Sequence, residues 1–190
     1  AGLDTFGFRH PELKDSLEIF EVDYPATQES KMKRLEQAHF EIPRNLHFVP
    51  MDFTHKFSYQ GLQDEGFTNQ KTYFSLLGVS YYLTKEENAN LIKHLFDAVP
   101  SGSSIVLDYA DETLFEEKGL SNRVENMVKM ASAGGEPMKS GFSYVQMEHL
   151  LAAAGLLVCE HLSPAAINDL YFRDRTDYLS AFETIHYIHA

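Results

Sequence analysis

Apolar residues in the first part of the chain form two short runs, each ending at an acidic residue. Residues 17–22 are mostly apolar and stop at Asp23, and residues 46–51 stop at Asp52. Between them, Pro25 suits the first turn of a helix, in which Met32 and Leu35 recur at helical spacing. A strand, a helix and a second strand in this order predict a parallel strand pair. The same spacing predicts Lys31 on a solvated face of that helix, together with Lys33 and Arg34.

The rest of the chain continues the alternation of strands and helices. Two capping boxes, Thr84 with Glu87 and Ser143 with Gln146, each predict the start of a helix. Residues 72–77 form an aromatic and apolar run, which is typical of a strand buried on both faces. Further strands are predicted at residues 104–109, 156–159 and 181–189, and the last alternates in a way that suits an antiparallel edge strand.

These elements predict an α/β fold with a doubly wound, mostly parallel sheet, helices on both faces and an antiparallel C-terminal edge strand. We expect one domain over residues 1–190. Residues 111–141 interrupt the alternation with charged residues, methionines and a pair of glycines, and they predict a helical insertion or lid. An ordinary long connection is the alternative there.

Composition narrows the classes of partner. The formal net charge is −12, which disfavours nucleic acid and anionic membranes as partners. Cys159 is the single cysteine, so no intrachain disulfide can form, and we expect a cytoplasmic protein. The apolar runs are too short for a membrane span, and no targeting segment opens the sequence.

The acids that follow the predicted strands suggest a nucleoside ligand. Gly2 precedes Asp23 by 21 residues, close to the spacing of about 20 that separates a cofactor-binding turn from a ribose-binding acid. Asp52 could accept the exocyclic amine of an adenine, and Phe53 could pack on its ring. No phosphate-binding glycine loop is present in the sequence. S-adenosylmethionine, a nucleoside without phosphate, therefore fits these residues better than NAD.

Other candidate chemistries are weaker. His186 and His189 are three residues apart on a strand and would face opposite sides, so a shared metal is not expected. His47, Asp52 and His55 lack the spacing of a metal site. Ser80 lacks the second glycine of a nucleophile elbow, and Cys159 in an apolar run predicts a buried small side chain.

Four motifs together resemble the leucine carboxyl methyltransferase-like family of S-adenosylmethionine-dependent O-methyltransferases. They are residues 1–6 with Arg9, residues 20–25, residues 49–53 and residues 78–83. The resemblance implies that Gly2 and Asp4 lie beside the methionine part of the cofactor, Asp23 at the ribose, and Asp52 with Phe53 at the adenine. The cofactor-binding set that we predict from the motifs is Gly2, Asp4, Asp23, Tyr24, Asp52, Phe53, Leu77 and Gly78.

The chain also departs from the family pattern. Leu77 stands where family members usually carry a glutamate that holds the cofactor's amino group. The family's first strand, its upstream helical segment and an arginine for the cofactor carboxylate have no counterpart, so we expect an N-terminally truncated domain.

The resemblance implies methyl transfer from S-adenosylmethionine to a carboxylate or hydroxyl oxygen of a small-molecule or peptide acceptor. Such a displacement depends mainly on proximity and orientation. Tyr82 is the candidate nearest the transferring methyl, with a packed aromatic as the alternative, and no metal is expected. A non-catalytic fragment or binding module and an NAD-dependent oxidoreductase remain open as alternatives.

Overall fold

A computed structural model of the chain describes residues 2–55, 57–116 and 123–190. The chain divides into two compact units, Ala1–Asn69 and Gln70–Ala190. Each unit contains a sheet with parallel pairing, and helices pack on the strands. The predicted α/β class is confirmed.

The first unit is a β-α-β arrangement with two short helices added. Its elements are α1 (Phe6–Arg9), β1 (Ile19–Asp23), α2 (Pro25–Gln37), β2 (Leu46–Pro50) and α3 (Gln60–Asp64). Strands β1 and β2 pair in parallel, with Ile19 opposite Leu46 and Asp23 opposite Pro50. The predicted parallel pair is confirmed, and both strands end beside the acids that the sequence pattern singled out.

Helices α2 and α3 cover opposite faces of the β1–β2 pair. Gln28 of α2 donates to the backbone oxygen of Glu21 at 3.0 Å, whereas Gly61 of α3 lies against Val49. The prediction that Lys31 is solvated is wrong, because this residue is only 3% exposed. Lys31 follows Gln28 by three residues, which puts it on the packed face of α2, where it pairs with Glu21.

The second unit holds a four-stranded sheet. Its elements are β3 (Tyr73–Leu76), α4 (Lys85–Phe96), β4 (Ser104–Ala110), α5 (Arg123–Ala133), α6 (Tyr144–Ala153), β5 (Glu160–Leu162), α7 (Pro164–Ile167) and β6 (Ile185–His189). The strand order is β3-β4-β6-β5, in which β3 and β4 are parallel. The C-terminal strand β6 is antiparallel, as predicted, but it is not the edge strand, because it lies between β4 and β5 and pairs with both. The antiparallel strand at the edge is β5.

Both predicted capping boxes are present. Glu87 N–H donates to Thr84 Oγ1 at 3.2 Å, and Thr84 N–H donates to the Glu87 carboxylate at 2.7 Å. The Ser143 and Gln146 pair repeats this arrangement at the start of α6. These bonds satisfy amides that the first helical turn leaves without partners, so each helix begins where the sequence indicates.

Two predicted strands differ from the structure. Residues 72–77 are not buried on both faces: Phe74 packs against Phe96 of α4, but Tyr73 is 62% exposed on the other face. Residues 156–159 do not form a strand, because ladder pairing begins only where Cys159 N–H donates to His189 O at 2.8 Å. Cys159 is an exposed thiol, so the prediction that it is buried is wrong.

Within the predicted insertion, residues 117–122 lie outside the described residues. The described part contains a 3₁₀ turn (Glu112–Phe115) and helix α5. Leu114, Val124 and Met138 pack with Ala110 and Ile185 in an apolar cluster at the carboxyl end of β4. A lid role for this segment stays a prediction. Among the helices of the described ranges, none is both long and apolar enough to cross a membrane.

Candidate functional site

Gly2 and Asp23 are in direct contact in the first unit. Gly2 N–H donates to one Asp23 carboxylate oxygen at 2.5 Å, and Tyr24 N–H donates to the other at 2.7 Å. Gly2 has a φ of +53°, which favours glycine, and the space around its α-carbon is open. Each carboxylate oxygen can accept a second hydrogen bond, so Asp23 retains the capacity to accept two ribose hydroxyls.

The Asp4 side chain accepts hydrogen bonds from backbone amides at the start of α1. Its Oδ1 accepts from Thr5 N–H at 2.7 Å and from Phe6 N–H at 3.2 Å, and Arg9 lies 3.4 Å away. The Asp4 backbone oxygen accepts from Lys31 Nζ at 2.5 Å. Residues 2–4 are therefore anchored at both ends, by Asp23 and by Lys31.

Asp52 follows β2, beside the end of β1. Thr54 donates to its Oδ1 through both the hydroxyl, at 2.7 Å, and the backbone amide, at 2.9 Å. These hydrogen bonds lower the pKa of Asp52, so the carboxylate is charged at neutral pH. It can then accept a hydrogen bond from an amine. His55 lies 3.2 Å from the same carboxylate. Phe53, the predicted adenine neighbour, is partly buried.

Asp108, the acidic residue of β4, accepts hydrogen bonds from the turn that follows β3 in the second unit. Gly78 N–H donates to Asp108 Oδ1 at 2.8 Å, and Ser80 Oγ donates to the Asp108 backbone oxygen at 2.6 Å. Gly78 has a φ of +73°, which only glycine adopts readily. Burial raises the pKa of Asp108 to about 6, and the bond from Gly78 N–H opposes that rise. Asp108 therefore positions the turn that contains Leu77 and Gly78.

Asn88 and Ser140 hold the next part of the same turn. Asn88 is fully buried, and its Nδ2 donates to the backbone oxygens of Ser80, Leu83 and Thr84 at 2.8 to 3.3 Å. Ser140 Oγ donates to Leu83 O at 2.7 Å. The sequence pattern contained a signal for Asn88, because it shares the spacing of the apolar residues on α4.

Tyr82 and Leu77 have different environments. Tyr82 is partly buried, packs against the apolar cluster of Ala110 and Met138, and lies 4.9 Å from Tyr81 between ring centroids. Burial raises the pKa of Tyr82, with Glu136 and Asp108 adding to the effect, so its phenol stays protonated at neutral pH. It can donate a hydrogen bond but cannot act as a base there. Leu77 is 45% exposed and offers no side-chain acceptor.

The raised pKa of Asp108 can be tested by measuring the unfolding free energy at two pH values. The folded carboxyl binds its proton more tightly than the unfolded one, whose pKa is 3.8, so its contribution to stability is lost as pH rises through about 6. Between pH 4 and pH 7.5 the unfolding free energy of the wild type should therefore fall by about 2 to 3 kcal/mol more than that of Asp108→Asn, which has no carboxyl group at this position. Urea titrations of both proteins measure it, and a pH-independent difference would contradict the assignment.

Comparison with known proteins adds to this geometry. The leucine carboxyl methyltransferase family model matches residues 1–96, which span β1, β2, β3 and every predicted cofactor-binding residue. The chain belongs to the leucine carboxyl methyltransferase family. A Bacillus subtilis (strain 168) protein named "Putative S-adenosyl-L-methionine-dependent methyltransferase YktD" is 70% identical over all 190 residues. The chain spans 62% of that relative's length.

Solved structures with a similar fold were found at low sequence identity. A DUF574 family protein from Streptomyces avermitilis has a TM-score of 0.60 at 12% identity, with 97% of this chain and 79% of that chain covered. LepI, solved in complex with SAM, has a TM-score of 0.55 at 13% identity, and the match covers 100% of this chain and 40% of LepI. At such low identity these neighbours support the fold that family membership implies.

Proposed function

We propose that the protein carrying this sequence is an S-adenosylmethionine-dependent O-methyltransferase. The observation that carries the proposal is the Asp23 carboxylate at the end of β1, which accepts a hydrogen bond from Gly2 N–H, together with the charged Asp52 just after β2. Asp23 would accept the ribose hydroxyls and Asp52 the adenine amine, with Phe53 on the adenine ring. Gly2 and Asp4 would border the methionine part. Tyr24, Leu77 and Gly78 are the remaining residues of the proposed cofactor-binding set.

When bound, the cofactor supplies a methyl group on a sulfonium that an oxygen nucleophile can displace directly. A carboxylate acceptor is already ionised at neutral pH, so the chain needs no strong base for such a transfer. The raised pKa of Tyr82 agrees with this, because its phenol could orient an acceptor but would not deprotonate it. The Leu77 side chain cannot accept a hydrogen bond from the cofactor's amine, so a backbone oxygen or another side chain would hold that amine.

The acceptor that we propose is a small-molecule or peptide carboxylate or hydroxyl. Residues 111–141 follow β4, and ligands of such folds bind beyond the carboxyl ends of the parallel strands. We propose this segment as a lid that contributes to acceptor choice. The acidic net charge favours neither nucleic acid nor an anionic membrane as a partner. We also propose a cytoplasmic location, supported by the exposed thiol of Cys159.

A methyl-transfer assay tests the reaction class. The complete natural polypeptide is incubated with tritium-methyl S-adenosylmethionine and a panel of carboxylate, hydroxyl, amine and thiol acceptors. We expect label on oxygen acceptors, and release of that label by mild alkali would identify a methyl ester. Transfer to nitrogen or sulfur alone would overturn the O-methyl assignment. Tight cofactor binding without transfer to any acceptor would support a non-catalytic binding module instead.

Tyr82→Phe tests whether the Tyr82 hydroxyl contributes to the transfer. We expect kcat to fall about tenfold, the effect of losing one hydrogen bond, with cofactor Kd unchanged within about twofold. Tyr73→Phe is the matched control, because Tyr73 is 62% exposed on β3. An unchanged kcat in Tyr82→Phe would leave Tyr82 with a packing role only.

A further inference from the structure

Lys31 and Glu21 form a buried ion pair between α2 and β1. Lys31 is 3% exposed and Glu21 is 7% exposed. The Lys31 ammonium also lies 5.7 Å from the centroid of the Phe48 ring on β2. Burying two charges is costly, and an apolar pair of similar volume would often stabilise a fold equally well.

The pair is also incompletely satisfied. Glu21 Oε2 accepts from Lys31, but Glu21 Oε1 is buried without a hydrogen-bond partner among the described residues. An unsatisfied buried acceptor lowers the net contribution of the pair to stability. Stability of the fold alone therefore does not account for a lysine and a glutamate at these positions.

The lysine makes one contact that an apolar side chain could not make. Its Nζ donates to the backbone oxygen of Asp4 at 2.5 Å. Gly2, two residues earlier, donates its amide to Asp23, which lies on the same face of β1 as Glu21. The loop of residues 2–4 is thus tied to β1 at two points, directly by Asp23 and through Lys31 by Glu21.

We propose that Lys31 is a positioning residue that fixes the loop of residues 2–4 against β1 for the methionine part of the cofactor. Glu21 holds the Lys31 ammonium in place, and the ammonium sets the position of the Asp4 backbone. The proposal rests on the proposed function, in which Gly2 and Asp4 border the methionine part while Asp23 and Asp52 bind the nucleoside. Loss of the anchor should therefore affect the two parts of the ligand unequally.

The test variant is Lys31→Met with Glu21→Leu in the complete natural polypeptide. Changing Lys31 alone would leave Glu21 buried without its partner, whereas the double change removes both charges and keeps the buried volume. The control is Lys33→Met with Glu29→Leu, an exposed lysine and glutamate on the same helix. Thermal unfolding verifies that both variants are folded.

The readout compares two ligands by calorimetry. S-adenosylhomocysteine contains the methionine-derived part, and adenosine lacks it. We expect the double variant to bind S-adenosylhomocysteine about tenfold more weakly and adenosine within about twofold of wild type, which corresponds to the loss of about one hydrogen bond. Equal weakening of both ligands would indicate a merely structural role and would overturn the proposal.

A measurement without ligand separates this proposal from the proposed function. Amide hydrogen exchange over residues 2–6 should be about tenfold faster in the double variant than in the control, because the loop loses one anchor. If wild type binds no S-adenosylhomocysteine, the proposed function fails, and the exchange rates still test the anchoring. Unchanged exchange over residues 2–6 would overturn the role of Lys31.

Discussion

Replacing Asp23 with asparagine is expected to weaken S-adenosylhomocysteine binding by about 10- to 100-fold. A carboxylate can accept both ribose hydroxyls while it also accepts the amides of Gly2 and Tyr24, whereas the asparagine side chain has one acceptor oxygen. Hydrogen bonds to a charged group contribute about 1.5 to 3 kcal/mol each, which sets the size of the effect. Calorimetric titration of the complete polypeptide measures it.

Asp15→Asn is the matched control for this substitution. Asp15 lies in the same unit, is largely exposed and pairs with Arg44 on the surface, so its loss should change Kd by less than about twofold. A wild-type Kd in Asp23→Asn would contradict the placement of the ribose at the end of β1. Equal losses in both variants would indicate a general effect of negative charge.

Replacing Asn88 with alanine is expected to reduce the unfolding free energy by about 3 kcal/mol. The change removes a fully buried amide and leaves the backbone oxygens of Ser80, Leu83 and Thr84 without this donor. Each oxygen keeps another donor, since Leu83 N–H donates to Ser80 O, Ser140 Oγ to Leu83 O and the Asn88 N–H to Thr84 O. The expected loss therefore combines the side-chain hydrogen bonds, at about 0.5 to 1.5 kcal/mol each, with the cavity that the truncated side chain leaves. For a protein of this size the loss corresponds to a decrease in melting temperature of roughly 6 to 12 °C.

Asn90→Ala makes the same chemical change on the exposed side of α4 and should alter the melting temperature by less than about 2 °C. Scanning calorimetry of the two variants gives the comparison. Equal melting temperatures for Asn88→Ala and Asn90→Ala would contradict the role assigned to Asn88 in holding residues 80–84.

Local patterns predicted the parts of the fold that depend on neighbouring residues. The capping box at Thr84 and the alternation of β6 are of this kind, since caps and strand faces are set within a few positions. The acids Asp23 and Asp52 were found because strands end where the apolar run ends. Their distances from other groups could not be predicted, because those depend on how the elements pack.

The errors occurred where tertiary packing outweighs local pattern. Lys31 was assigned to solvent because a lysine is usually exposed, and its burial depends on Glu21, ten residues earlier on another element. Cys159 and its apolar neighbours were assigned to a strand, yet a strand requires a pairing partner, and pairing with β6 begins only at Cys159. Asp108 lies within β4 and accepts a hydrogen bond from Gly78 N–H, thirty residues earlier, a contact that no local pattern indicates.

Calorimetric titration of the complete natural polypeptide with S-adenosylmethionine and, separately, with NAD tests the central claim most directly. The acids Asp23 and Asp52 favour a nucleoside without phosphate, so we predict saturable binding of S-adenosylmethionine at one site per chain and no binding of NAD at the same concentrations. Binding of NAD in preference to S-adenosylmethionine, or no binding of S-adenosylmethionine up to millimolar concentration, would contradict the account.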